Sequence, residues 1–128
     1  MIIGIGTDII NINRIEAAIL RNGERFLQRV FTAGEIAYCD SAKGQRRIIR
    51  YANRFAAKEA CLKAIGLKDG ISWQDIEVKN DANGKPYLVL HVQAHKSACI
   101  KAGEGYRLHL SLSDDAAYAT AFVVLEQC

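Results

Sequence analysis

Apolar residues alternate with small or polar ones from the second position onward, and this alternation predicts a strand over residues 2–10. Ile3, Ile5, Thr7 and Ile9 fall on one face, and Gly4, Gly6 and Asp8 on the other. The two glycines leave the Asp8 face open, or mark a place where another backbone approaches closely. Asn13 followed by Glu16 has the spacing of a capping box and predicts a helix from Arg14 to Arg21, ended by Asn22-Gly23. A second short helix is expected over residues 24–29. Thr32 and Glu35 form another capping-box pair, opening a helix toward Cys39. Residues 41–45 read as a polar loop, and Arg46-Arg-Ile-Ile-Arg50 leads into the stretch that organises the chain.

That stretch, Arg54 to Gly66, contains a run of alanines, one β-branched residue, no proline and a closing glycine, so it predicts a helix with a glycine stop. Phe55, Glu59 and Lys63 share one face, while Arg54, Lys58 and Leu62 share a neighbouring one. On an arbitrary helix, Glu59 and Lys63 would be a surface pair worth a few tenths of a kcal/mol. Ala56, Ala57, Ala60 and Cys61 alter that picture, because a helix with so little side-chain area must pack close to something and partly desolvate its charges.

Lys68-Asp-Gly70 signals a turn. Residues 73–79 alternate as a strand with Ile76 and Val78 inward, and Asn80 to Lys85 is a turn leading into a returning strand over 87–92, which together make a hairpin. Residues 93–102 have helical composition. Residues 106–113 alternate with Tyr106, Leu108, Leu110 and Leu112 on one side, and the nearly continuous apolar run of 117–126 predicts a strand buried on both faces. Five strands with the helices bunched in the first half argue an α+β fold, a largely antiparallel sheet packed against helices.

At 128 residues, half of them apolar, the chain is expected to form one domain over 1–128. No window approaches a membrane span and the first residues have no basic leader pattern, so a soluble, cytoplasmic protein is expected. The four cysteines lack C-x-x-C spacing, which argues against a disulfide framework or a zinc site. A net charge of +3 is too small to argue nucleic-acid binding, although basic clusters lie at 14–29 and 43–54.

The segment Arg54-Phe-Ala-Ala-Lys-Glu-Ala-Cys-Leu-Lys-Ala resembles the W/F-A-A-K-E-A-x-x-K-A signature of the 4′-phosphopantetheinyl transferases. With Gly4-Ile-Gly-Thr-Asp-Ile9 and Phe31-Thr32-x-x-Glu35, the resemblance to the small bacterial members of that family covers nearly the whole chain. It implies an α+β homotrimer with active sites at the subunit interfaces. The activity it implies is transfer of the 4′-phosphopantetheine arm of coenzyme A to a serine of acyl carrier protein in support of fatty acid biosynthesis, releasing adenosine 3′,5′-bisphosphate.

Asp8 and Glu59 would repel each other if brought together without a cation, and hard oxygen ligands beside phosphate favour Mg²⁺, or Mn²⁺ in its place. The resemblance implies the same pair as metal ligands. Glu59, directly or through a water, would accept the serine proton, and Lys63 would stabilise the departing α-phosphate oxygen. Lys58 and Arg54 are candidate phosphate clamps, with Arg50, Arg46 and Ser113 as further nucleotide-binding candidates, and Glu35 could orient the water. Arg14, Arg21 and Arg25, with Phe26 as an apolar anchor, are the expected docking face for acyl carrier protein. His91, His95 and His109 are expected at solvated or ambiguous positions.

Two stretches depart from the family pattern. Gly66-Leu-Lys-Asp-Gly-Ile replaces a Gly-Thr-Gly loop, and Asp114 stands where many members have a His before the last strand. A carboxylate there would repel a phosphate unless turned away, or would cap the turn, and phosphate recognition would then fall to Arg46, Arg47, Arg50 and Arg54. A reading of a different class is a non-catalytic module that holds an acidic protein or nucleic acid through Arg14, Arg21, Arg25 and Arg29. It predicts no need for Asp8 or Glu59.

Overall fold

The computed structural model of the chain describes residues 1–66 and 70–128. The turn expected at 68–70 and the replacement of Gly-Thr-Gly thus lie partly outside the described residues. In order, the elements are β1 (Ile2–Asn11), α1 (Ile12–Asn22), α2 (Glu24–Val30), α3 (Ala33–Asp40), α4 (Gln45–Ile65), β2 (Ile76–Asn80), β3 (Pro86–Leu90), α5 (Val92–Ala102), β4 (Arg107–Asp114) and β5 (Tyr118–Glu126). Every strand pairing is antiparallel, in a three-stranded sheet ordered β1-β5-β4 and a separate β2-β3 hairpin. The expected α+β architecture holds, with the strands divided between two sheets.

α4 is the axis of the molecule. It begins at Gln45, so Arg46 to Arg50 lie inside the helix, and it ends on Gly66, whose φ of 76° supplies the left-handed cap. Its alanines and Cys61 are fully enclosed, and they let β1 come very close. A Cβ on Gly4 would lie 2.0 Å from the Ala64 carbonyl oxygen, and one on Gly6 would lie 1.9 Å from that of Ala60. Of the two readings of the β1 glycines, the close approach of another backbone is the one that holds: the helix backbone fills this face. The opposite face, with Ile5 and Ile9, is exposed.

The last strand also departs from its expectation. Ala119, Ala121, Val123 and Leu125 are buried against the helix, whereas Tyr118 and Phe122 on the other face are 46% and 47% exposed. With Ile5 and Ile9 they give the sheet an apolar outer face in the single chain. Two boundaries move for local reasons. The α1 cap is Asn11, whose side chain accepts from the Asn13 backbone N–H, because β1 runs straight into the helix. The stretch before Ile76 begins as a 3₁₀ turn over Trp73–Asp75, capped by Ser72. The Thr32–Glu35 capping box is present as expected, with both of its bonds made.

Candidate functional site

Gly4 meets Ala64 and Gly6 meets Ala60, so β1 and α4 run in opposite senses along their contact. The next inward position of the strand is Asp8, and this progression carries it to the turn of α4 that precedes Ala60 and bears Glu59. The Lys63 ammonium donates to the Thr7 carbonyl at 2.8 Å and lies 3.4 Å from Asp8 Oδ1. Sequence elements about fifty residues apart are thus brought together by two glycines and two alanines. The Asp8 side chain is 17% exposed and that of Lys63 is 50% exposed, so the carboxylate is held while the ammonium remains accessible. Glu59 is half-buried one helical turn from Lys63.

These residues fit a divalent cation in a limited way. Among the described residues no group of three or more His, Cys, Asp and Glu converges, so a cage built wholly of protein ligands is excluded there. Asp8 beside the Lys63 ammonium, with Glu59 on α4 one turn before Lys63, suits an ion that keeps most of its shell as water and substrate phosphate, which is the habit of Mg²⁺.

Glu35 and Lys58 are placed elsewhere. Both side chains are closed to solvent, with Lys58 Nζ 2.7 Å from Glu35 Oε1. The ammonium also donates to the carbonyls of Trp73, at 3.0 Å, and Ile76. Its three donors are thereby used, and none remains for a phosphate. Burial pushes the Lys58 pKa down, partly offset by Glu35. Glu35 in turn accepts from the Thr32 and Val78 backbone N–H groups. The expected phosphate clamp and water-orienting acid are one buried tie between α3, α4 and β2.

The arginines also separate. Arg47 pairs with Asp40 at 2.8 Å. Arg50 donates through Nη1 to both the Tyr38 carbonyl at 2.8 Å and the Ser41 hydroxyl at 3.0 Å. Arg46 is exposed and makes no ion pair among the described residues. Arg54 is buried and stacks on the Tyr38 ring, with its guanidinium carbon 4.0 Å from the centroid.

Ser113, next to last in β4, lines a small cleft with Ile9, Asp114, Asp115, Tyr118 and Thr120. Asp114 accepts from the Asn53 amide at 3.1 Å, while the turn itself is capped by Asp115, which accepts from the N–H groups of Ala117 and Tyr118. Two backbone bonds hold the Asp115 carboxyl below its usual pKa. The turn-capping role weighed for Asp114 thus belongs to its neighbour, and no feature of the sequence distinguished the two.

Arg14, Arg21 and Arg25 are exposed on α1 and α2, and Phe26 is half-buried against Phe31. His91 precedes α5 and bonds Glu77 at 2.9 Å, His95 meets the Tyr106 hydroxyl at 2.8 Å, and His109 meets Glu126 at 2.9 Å. Cys39 and Cys61 are buried and carry no disulfide, and burial pushes both thiols up to about 12.

Residues 4–123 match the model of the 4′-phosphopantetheinyl transferase superfamily. The chain is 52% identical over 128 residues to the holo-[acyl-carrier-protein] synthase of Paramagnetospirillum magneticum, covering 98% of this chain and 97% of that protein. It is 47% identical over 130 residues to that of Agrobacterium fabrum, covering 98% and 96%. Among solved structures it is similar to a Bacillus anthracis holo-(acyl-carrier-protein) synthase in complex with CoA (3′,5′-ADP), at a TM-score of 0.81 and 39% identity, covering 100% of this chain and 99% of that one. The Neisseria meningitidis holo-[acyl-carrier-protein] synthase gives a TM-score of 0.84 at 35% identity, covering 99% and 100%. These similarities span the seam, the helix and both sheets, so the chain belongs to the 4′-phosphopantetheinyl transferase superfamily and is an enzyme, not the arginine-rich binding module that its first helix alone would allow.

Proposed function

We propose that this enzyme transfers the 4′-phosphopantetheine arm of coenzyme A to a serine hydroxyl of acyl carrier protein, with Mg²⁺ at Asp8 and Glu59. The observation that carries the reading is the meeting of Asp8 and Lys63 across the β1–α4 contact, with Glu59 one turn away. Mg²⁺ held there would supply positive charge against the pyrophosphate. Glu59 takes the proton of the serine hydroxyl, whose oxygen forms a bond to the β-phosphorus. The bond from that phosphorus to the bridging oxygen breaks, and Lys63, which already reaches the seam, faces the charge that develops on the α-phosphate. Adenosine 3′,5′-bisphosphate leaves. Catalysis of this kind is mostly positioning and charge neutralisation.

Arg46, with Ser113 near the end of β4, remains the exposed candidate for the nucleotide phosphates. Arg14, Arg21, Arg25 and Phe26 form the carrier-docking face, and the apolar outer face of the sheet is the surface through which the chain would assemble as a homotrimer. A cytoplasmic role in fatty acid biosynthesis accords with this chemistry, and no helix among the described residues is long and apolar enough to cross a membrane.

Incubation with apo-carrier, coenzyme A and Mg²⁺ should raise the carrier mass by one phosphopantetheine. Asp8→Asn and Glu59→Gln should each lower the rate by about 10²-fold or more while leaving the circular dichroism spectrum unchanged. Near-normal turnover of either variant in saturating Mg²⁺ removes the metal assignment.

A further inference from the structure

α5 carries an imidazole and a thiol one helical turn apart, and neither belongs to the Asp8–Lys63 seam. Cys99 Sγ lies 3.6 Å from His95 Nε2 and 4.0 Å from His95 Nδ1. The Tyr106 oxygen is 2.8 Å from the same Nδ1, and the two rings are tilted at 52° with their centroids 5.6 Å apart. Tyr106 stands just ahead of β4 and packs into the core with Leu108, Leu110 and Leu112, on the side of the sheet away from Ile5, Ile9 and Phe122. Burial pushes its pKa up, so the phenol keeps its proton.

The four cysteines stand in different settings. Cys39 and Cys61 are buried, and with their thiols pushed up to about 12 neither ionises readily. Cys128 is exposed and has no hydrogen bond or ion pair among the described residues. Cys99 is half-buried and has an imidazole within reach of its sulfur. Among the described residues no third His, Cys, Asp or Glu joins Cys99 and His95, so the pair does not make a metal site.

We propose that Cys99 is a modification site, a thiol that forms mixed disulfides with small disulfides, with His95 as its base and Tyr106 holding the imidazole in place. In the tautomer whose Nδ1–H donates to the Tyr106 oxygen, Nε2 has a lone pair free to take the thiol proton. The thiolate then attacks one sulfur of the small disulfide. The S–S bond of that molecule breaks, and its other half leaves as a thiolate that takes the proton from the imidazolium. Cys99 is oxidised, the small disulfide is reduced, and one small thiol is released. A nucleophile beside a base that a third group orients is the arrangement that activates a side chain for such attack. The step uses no residue of the seam and does not rest on the transferase reading.

Incubation of the full chain with hydroxyethyl disulfide at neutral pH, quenched with acid and read by peptide mass at each cysteine, tests the site. The expected result is one hydroxyethylthio group on Cys99, removable by dithiothreitol, and gained about tenfold or more faster than on Cys128, although Cys128 is the more exposed. His95→Gln should slow the reaction at Cys99 by about tenfold or more and leave Cys128 unchanged, so Cys128 serves as the internal control. Tyr106→Phe, which keeps the ring and loses the hydroxyl alone, should slow Cys99 by a smaller factor, again without effect at Cys128. Reaction at Cys99 no faster than at Cys128, or equal rates at Cys99 in the wild type and His95→Gln, overturns the proposal.

Discussion

Lys58 Nζ stands 2.7 Å from Glu35 Oε1 with both side chains closed to solvent, and through the Ile76 carbonyl and the Val78 N–H the pair ties α3 and α4 to β2. Removing one member of a buried pair strands the other, at a cost of about 3–5 kcal/mol. Lys58→Met should therefore lower stability by that order, since the Trp73 and Ile76 carbonyls lose their donor as well. Glu35→Gln combined with Lys58→Met should recover part of the loss because no buried charge remains. Chemical denaturation of the single and double variants measures both, and a single variant within about 1 kcal/mol of wild type denies the pair its role.

Gly6 should tolerate no side chain. An alanine there would place Cβ 1.9 Å from the Ala60 carbonyl oxygen, so either β1 or α4 has to move. Overpacking of this sort costs about 1–3 kcal/mol or more, and the shift would also separate Asp8 from Lys63. Gly6→Ala should lose stability and transfer activity together. Gly105→Ala, where nothing lies within 4 Å of the added carbon, should lose neither. Thermal melts with parallel activity assays compare the two.

Charge reversal on the first helix should act on encounter rather than chemistry. Arg14 and Arg21 are exposed and form no ion pairs among the described residues, so their field is screened by salt. Arg14→Glu with Arg21→Glu should raise the carrier KM severalfold at low ionic strength with kcat little changed, and the difference should shrink as salt is added. An unaltered KM moves the docking face elsewhere.

Glu77 gives the fold an acid-side dependence. Burial pushes its carboxyl up, but the bonds from His91 and Thr32, helped by Lys79, outweigh this and hold it below the ordinary value of 4.5. A carboxyl depressed on folding stabilises above its unfolded pKa, and the contribution is lost as pH falls through the folded one. Between about pH 5 and pH 3, wild type should lose stability more steeply than Glu77→Gln. Equal slopes would remove Glu77 from the acid response.

Much of this was readable from the chain because local rules and packing agreed. The Thr32–Glu35 capping box, the hairpin around Asn80 to Lys85 and the glycine stop at Gly66 are set by neighbours in sequence, and all three stand as expected. The small residues of α4 correctly announced a close contact, and the close backbone approach offered for the glycines of β1 is its other half. Side-chain roles were less legible. Arg54 and Lys58 share a helical face, as the spacing requires, but the spacing does not say that this face is turned inward onto α3 and β2. The separate fates of Asp114 and Asp115 depend on Asn53 reaching across from α4, a long-range contact that leaves no trace in a local pattern.

The contact of Gly4 and Gly6 with the α4 backbone also determines how stiff the seam can be. Where strand and helix are separated by side chains, their relative position can drift as rotamers exchange, and groups mounted on them drift too. Here main chain rests on main chain, and no rotatable bond lies between. Asp8 and the turn bearing Glu59 consequently stand on what is mechanically a single body, so the spacing of their backbones is fixed before any substrate arrives.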